Sequence, residues 1–136
     1  MAKYLIDTNH LTAAINDDQG FWKRLHDLHV RGNRVRTCTP VLCEYEIGLV
    51  RTKLEVQNRR VLRRLLKIVK VWPLEPNIVP IYSDVFFELK RKGRVLSQVD
   101  IMLAAMARCM NAIIVTADRD FEALSDLKCE NWLASS

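Results

Sequence analysis

Short apolar runs alternate with longer amphipathic stretches along the whole chain of 136 residues. Residues 3–6, 34–38, 68–72 and 112–116 have the composition of strands, and residues 127–129 predict a short fifth strand. The run at residues 112–116 is the clearest, because a short and largely β-branched stretch is typical of a buried parallel strand.

Helical patterns fill the gaps between the predicted strands. They cover residues 9–16, 18–31, 40–50, 54–67, 77–92 and 98–110. Pro40 suits the first turn of its helix, and the last helix is apolar nearly all round, which predicts that it is buried. The alternation of strand and helix predicts an α/β fold, with a central parallel sheet of four or five strands covered by helices.

The chain shows no internal repeat, low-complexity tract or linker, so we expect one domain over residues 1–136. The apolar stretch before Asp7 is too short for a signal peptide, and the longest run, residues 101–107, is far below the ~20 residues that span a bilayer. We therefore expect a cytoplasmic protein without membrane contact. Its four cysteines form no CxxC pair, which favours buried free thiols over a zinc site.

The net charge of +5 is unevenly distributed. Residues 51–70 hold eight Lys or Arg and one acid, and residues 90–94 add four more basic residues. On the predicted helix at residues 54–67, the basic residues lie opposite an apolar side; they are Arg59, Arg60, Arg63, Arg64 and Lys67. This pattern suits RNA as a partner, and it equally suits a plain solvated helix face.

Four acidic residues are expected to meet at one edge of the predicted sheet. Asp7 follows the first strand and Asp118 follows the clearest one, and parallel strands place their carboxyl ends together. Asp100 begins the buried helix, and Glu44 lies one turn into the helix after the second strand. Such oxygen ligands suit Mg²⁺ or Mn²⁺, which would prepare a water molecule for attack on a phosphodiester.

Each acid also has a purely local explanation. Asp7 is suited to cap a helix, Asp100 fits a capping box with Ser97, and Asp118 suits an Asx-turn. Glu44 by itself is typical of an exposed helix position. No single acid is specific, and the functional interpretation depends on all four together in a basic chain.

Four segments resemble the motifs of the PIN-domain nucleases, in particular the VapC-type toxins of bacterial toxin–antitoxin modules. The segments are residues 5–9, 39–48, 100–107 and 115–121. In the second, the acid is followed four residues later by glycine, and this spacing selects Glu44 over Glu46. The resemblance covers nearly the full length of the chain.

The resemblance implies a Rossmann-like sheet and an endoribonuclease dependent on Mg²⁺ or Mn²⁺ that cuts structured RNA, often transfer RNA. It also implies a homodimer held by a cognate antitoxin. Its metal-binding and catalytic residues would be Asp7, Glu44, Asp100 and Asp118. Asn9 and Thr116 would be supporting polar groups, and Asp120 is an alternative fourth acid.

The histidines bear on the reaction that we expect. A ribonuclease without a metal usually uses histidines as acid and base, and the nearest of only three in this chain is His10, three residues after Asp7. We therefore expect attack by water, which leaves 5′-phosphate and 3′-hydroxyl ends. His10 departs from the family's apolar residue, and we expect it in a locally polar pocket; His26 and His29 are expected on the surface.

Three other functions remain open from the sequence. An aspartyl-phosphate phosphohydrolase would need a second Asp two residues after the first, where this chain has Asn9. A non-catalytic RNA-binding module would use the basic helix alone. A PIN fold could also serve RNA processing outside a toxin–antitoxin module.

Overall fold

Five parallel strands form one sheet in the computed structural model, which describes residues 1–133. The strands are β1 (Lys3–Ile6), β2 (Arg34–Cys38), β3 (Lys70–Trp72), β4 (Ile113–Val115) and β5 (Cys129–Glu130). Their order across the sheet is β3-β2-β1-β4-β5, with every neighbouring pair parallel. The predicted α/β fold is confirmed.

Six α-helices flank the sheet within these residues. They are α1 (Thr8–Ile15), α2 (Phe21–Val30), α3 (Thr39–Arg51), α4 (Glu55–Leu65), α5 (Val79–Arg91) and α6 (Gln98–Met110). None of the described helices is long and apolar enough to cross a membrane. The last three residues of the predicted domain, 134–136, lie outside the described residues.

The predicted elements differ from the observed ones mainly at their ends. Gly20 has a left-handed backbone with φ of +69°, which separates a 3-10 turn at Asp18–Gly20 from α2. A second 3-10 turn, Pro76–Ile78, precedes α5. β3 begins two residues later than predicted, because the amides of residues 68 and 69 still bond to the carbonyl of Leu65 at the end of α4.

The sheet order places a crevice beyond the ends of β1 and β4. β1 continues through its helices to β2 on one side, whereas β4 pairs with it on the other side. This reversal is the switch point at which open parallel sheets bind ligands. Leu5 of β1, Ile114 of β4 and residues 103–107 of α6 are fully buried beneath it, as predicted for α6. The strand ends at this switch point therefore rest on a buried core.

Candidate active site

Asp7 lies at the carboxyl end of β1 and is only 4% exposed. Its Oδ1 accepts a 2.7 Å hydrogen bond from the amide of Thr8, and its Oδ2 accepts a 2.8 Å bond from the hydroxyl of Thr116. Both contacts fix the carboxylate at the first turn of α1. A buried carboxylate held by two donors is oriented before any ligand arrives.

Thr116 connects two neighbouring strand ends. It follows β4, and its Oγ1 accepts a 3.0 Å bond from the amide of Asp118 while donating to Asp7. Asp118 in turn accepts a 2.9 Å bond from the amide of Asp120, which forms the expected Asx-turn. Thr116, which the resemblance implied as a supporting polar group, therefore contacts Asp7 directly.

Glu44 reaches the same edge from α3, although its side chain is exposed. Its Oε1 accepts a 2.5 Å hydrogen bond from the hydroxyl of Thr8. Because the amide of Thr8 also bonds to Asp7, this one residue joins two of the four acids. Thr8 was missed by the sequence reasoning, although its position directly after the strand-end acid was a signal.

Asp100 lies in the first turn of α6, where the hydroxyl of Ser97 accepts a 3.1 Å bond from its amide. The expected cap by Ser97 is thus present. Burial, followed by the negative charge of Asp7, raises the pKa of the Asp100 carboxyl to about 6. The charges of Glu44 and Asp118 raise this pKa further, whereas the hydrogen bond with Ser97 opposes the shift.

The electrostatics link the four acids into one cluster. The pKa of Asp7 is raised, first by burial and then by the charges of Glu44 and Asp118, against the lowering effect of its hydrogen bonds with Thr116 and Thr8. Four mutually repelling carboxylates at one edge favour either a proton or a cation between them. Their oxygen donors are the ligands that Mg²⁺ and Mn²⁺ prefer.

The arrangement of these carboxylates is open. Within residues 1–133, no group of three or more His, Cys, Asp or Glu side chains is arranged so that it could hold a metal ion by itself. Mg²⁺ is usually held by one or two carboxylates together with waters and substrate phosphates, so an open cluster suits it better than it suits Zn²⁺. The oxygen donors are of the kind that Mg²⁺ and Mn²⁺ prefer, and the binding of a metal by these acids stays a prediction.

Asp120 has a different partner. Its Oδ1 lies 2.9 Å from the guanidinium of Arg94, in the connection between α5 and α6. The charge of Asp118, by contrast, raises the pKa values of both Asp7 and Asp100. This geometry favours Asp118 as the fourth acid. Asn9 is exposed on α1, and its supporting role stays a prediction.

The basic residues of α4 and of the turn that follows it comprise one paired arginine and four cations without an ion pair. The guanidinium of Arg59 bonds to both carboxylate oxygens of Glu46, at 2.8 and 3.2 Å. This pair ties α4 to α3 and removes Glu46 from the acid cluster. In the described part of the chain, no ion pair engages the other four, which are exposed: Arg60, Arg63, Arg64 and Lys67.

His10 is fully buried among aromatic side chains. Its ring packs against Phe21 and Trp132, and its Nε2 accepts a 3.0 Å bond from the amide of Trp132. The expectation of a locally polar pocket holds only in part, since the Trp132 amide and the Asn131 side chain bond to the ring within aromatic packing. Burial, with a smaller contribution from Arg24, lowers the pKa of His10 to about 4. Because its side chain is fully buried, His10 cannot contact a substrate.

The cysteines were predicted as buried free thiols. All four are free, but Cys43 and Cys109 are exposed, so the prediction of burial holds fully only for Cys38. Both expected surface histidines, His26 and His29, are exposed.

Comparison with known proteins places the chain in a family. The family model "PIN domain" matches residues 4–127. This chain belongs to the PIN-domain family. The match covers all four acids and the strands β2, β3 and β4, together with most of β1.

Two similar proteins are named VapC, the class of toxin that the motifs resemble. The chain is 27% identical to Ribonuclease VapC2 of Rickettsia felis, over 95% of this chain and 97% of that protein. It is 26% identical to the tRNA(fMet)-specific endonuclease VapC of Shigella flexneri, over 97% of this chain and 99% of that protein. The predicted resemblance to VapC-type PIN-domain nucleases and the predicted enzyme class are confirmed.

A solved structure shows the same fold. The complex VapBC2 from Rickettsia felis, bound to a DNA fragment from its promoter, contains a chain that is 26% identical with a TM-score of 0.87. The similarity covers 96% of this chain and 98% of that one. Membership of the PIN-domain family sets aside the aspartyl-phosphate phosphohydrolase that the sequence had left open.

Proposed function

We propose that this chain is a Mg²⁺- or Mn²⁺-dependent endoribonuclease that acts as the toxin of a VapC-type toxin–antitoxin pair. The observation that carries the proposal is the acid cluster at the carboxyl edge of the sheet, in which Thr116 orients Asp7 and Thr8 links Asp7 to Glu44. Asp7, Glu44, Asp100 and Asp118 would hold the cation. Structured RNA, including transfer RNA, is the proposed substrate class, supported by the name of the Shigella flexneri relative.

The side chains of this chain have distinct parts in the reaction. A bound divalent cation would supply a water molecule of lowered pKa and neutralise charge on the phosphate. Thr116 and Thr8 keep Asp7 and Glu44 in place. The exposed arginines of α4 bind backbone phosphates at other positions of the RNA than the scissile bond. The products would carry 5′-phosphate and 3′-hydroxyl ends, since the 2′-hydroxyl of RNA takes no part.

End-group analysis of cleaved RNA tests this chemistry. We expect 5′-phosphate ends, loss of cleavage in excess EDTA, and recovery with Mg²⁺ or Mn²⁺. An RNA with one 2′-deoxy sugar at the scissile position should still be cut. A 2′,3′-cyclic phosphate product, or full cleavage in excess EDTA, would contradict the proposal.

The proposed partners are a cognate antitoxin and a second copy of the chain. The structural relative from Rickettsia felis is a VapBC2 complex on promoter DNA. Co-expression with the product of a small adjacent reading frame should yield a stable complex in which RNA cleavage is inhibited. Cleavage that stays at the level of the free chain in such a complex would count against the toxin–antitoxin role, while leaving the nuclease itself intact.

A further inference from the structure

A basic cavity lies at the edge of the sheet opposite to the acid cluster. It has a volume of about 400 Å³, and it is enclosed by the end of α2, the segment after α4 and the first residues of β2 and β3. Its titratable lining is entirely basic: His26, His29, Arg34, Arg36, Lys67 and Lys70. Among the residues that line this cavity none is acidic. We call it the basic pocket.

The positive charges of the basic pocket have no internal counter-charge. No ion pair of the described residues includes Arg34, Arg36 or Lys70. Arg36 is half-buried and donates a 3.0 Å bond to the carbonyl of Val35. Its pKa is lowered by burial and by Arg34. The repulsion among these groups opposes folding, and an anion from outside would relieve it.

Arg108 shows how the same chain treats a half-buried arginine that serves structure. Its guanidinium lies 3.1 Å from Glu88 and 2.7 Å from Asp126. Two carboxylates thus compensate this charge inside the fold. The contrast with Arg36 indicates that the basic pocket is arranged for an external ligand.

Position indicates which anion the basic pocket takes. Lys67 lines the pocket and follows the end of α4 by two residues, and its amide bonds to the carbonyl of the exposed Arg64, so the pocket adjoins the basic face of α4. The pocket lies at the start of β2 and the acid cluster beyond its end, so they are separated by roughly 13 Å at ~3.3 Å per residue. One phosphate cannot occupy both sites.

We propose that the basic pocket is a second phosphate-binding site, which holds the backbone of a folded RNA on the side of the sheet away from the cleaved bond. The inference rests on the proposed function for the identity of the polyanion. Phosphate is the shared chemistry, and a free phosphate or polyphosphate is the other source of it. Arginine and lysine side chains at such a site position the RNA backbone without reading its bases.

The test uses the double variant Arg34→Gln with Lys70→Gln, because both residues are exposed at the start of a strand. The matched control is Lys3→Gln with Lys128→Gln, which removes two exposed lysines at or just before the starts of β1 and β5 and outside the pocket. Binding of fluorescent transfer RNA is measured in EDTA over a range of salt, so that cleavage does not interfere. Thermal melting verifies that both variants fold.

We expect the pocket variant to bind transfer RNA about tenfold more weakly. Its slope of log affinity against log salt should be flatter by about 1 to 2, as for two lost phosphate contacts. The control variant should keep most of its affinity for transfer RNA and most of its salt dependence. In the presence of Mn²⁺, the pocket variant should show a raised KM with kcat nearly unchanged, since the acid cluster is untouched.

Two results would overturn the proposal. One is an affinity and salt slope equal to those of the control variant. The other is calorimetric binding of inorganic phosphate or tripolyphosphate that depends on Arg34 and Lys70 while RNA binding does not, which would assign the pocket to a small anion. Because RNA binding is read in EDTA, a chain that binds RNA through the pocket without cutting it would refute the proposed function alone.

Discussion

The hydroxyl of Thr116 donates a 2.8 Å hydrogen bond to Oδ2 of Asp7, joining two residues that are 109 positions apart in the chain. The bond crosses the switch point between β1 and β4 and is buried. It therefore orients the central acid of the cluster and opposes the rise in the pKa of Asp7 that burial causes. If this hydroxyl were removed, another hydrogen-bond donor would have to reach Oδ2 of Asp7 to compensate.

Substitution Thr116→Val should remove this donor while keeping the shape of the side chain. We expect the unfolding free energy at neutral pH to fall by about 1–3 kcal/mol, because the Asp7 carboxylate loses a buried hydrogen bond. The pKa of Asp7 should rise further and cleavage should weaken. Urea unfolding and a pH–rate profile measure these effects. Thr116→Ser keeps a hydroxyl, so equal behaviour of the two variants would show that the bond is unimportant.

Substitution Asp100→Asn should abolish cleavage and leave the fold intact. The pKa of Asp100 in the folded protein, about 6, lies above its ordinary value of 3.8, so its contribution to stability is greatest at low pH and is lost as pH rises through 6. The metal-free variant should therefore melt at or above the wild-type temperature at pH 8. Asp84→Asn, at an exposed position on α5, is the control and should keep activity. Normal cleavage by Asp100→Asn would show that the site is wrongly assigned.

His10 should make the protein sensitive to acid. Its folded pKa of about 4 lies below its ordinary value of 6.5, so the neutral ring stabilises the fold above pH 6.5 and this contribution is lost as pH falls towards 4. The loss is at most about 3 kcal/mol. Comparing urea unfolding of wild type and His10→Gln between pH 4 and 7 isolates this effect from the carboxylates. Parallel pH curves for the two proteins would contradict it.

The exposed arginines of α4 should hold RNA backbone. Replacing Arg60 and Arg64 with Ala should weaken RNA binding irrespective of sequence and flatten its salt dependence by about 0.7 to 0.9 per lost phosphate contact. The control variant removes Lys23 and Arg31 of the α2 region, which lie on a different cavity. If both variants show the same salt slope, the α4 face is merely solvated.

Gly48 should be replaceable with a gain in stability. A Cβ added there meets nothing within 4 Å, and the residue is inside α3 without a positive φ. Gly48→Ala should therefore raise the unfolding free energy by about 1 kcal/mol. Gly20→Ala is the matched contrast, since its φ of +69° should make the same change destabilising. A loss of stability in Gly48→Ala would show that the glycine has another structural role.

Local patterns were sufficient for much of the fold. The limits of β1, β2 and α6 agree with the predicted ones, because alternation, capping by Ser97 and the apolar composition of α6 act within a few residues of the chain. Elements such as β3 and α5 were displaced by one or more residues where a turn competes with the regular structure. The predicted helix cap by Asp7 is present, since its Oδ1 accepts from the amide of Thr8.

The acids were identifiable for a related reason. A residue directly after a strand lies at the carboxyl edge of a parallel sheet whatever the strand order, which placed Asp7 and Asp118 without coordinates. In residues 39–48, the spacing between the acid and the following glycine selected Glu44 over Glu46. In the structure, Glu46 binds Arg59 instead.

Other relationships depended on how distant elements pack. The hydrogen bond from Thr8 to Glu44 requires the approach of α1 to α3, and the aromatic surroundings of His10 require Trp132 to fold back from beyond β5. The basic pocket likewise exists because β2 and β3 are neighbours in the sheet. The sequence by itself determined the elements and the acids at their ends, because those depend on short-range interactions. The tertiary structure alone decided which side chains meet, because contacts between distant residues depend on strand order and helix packing.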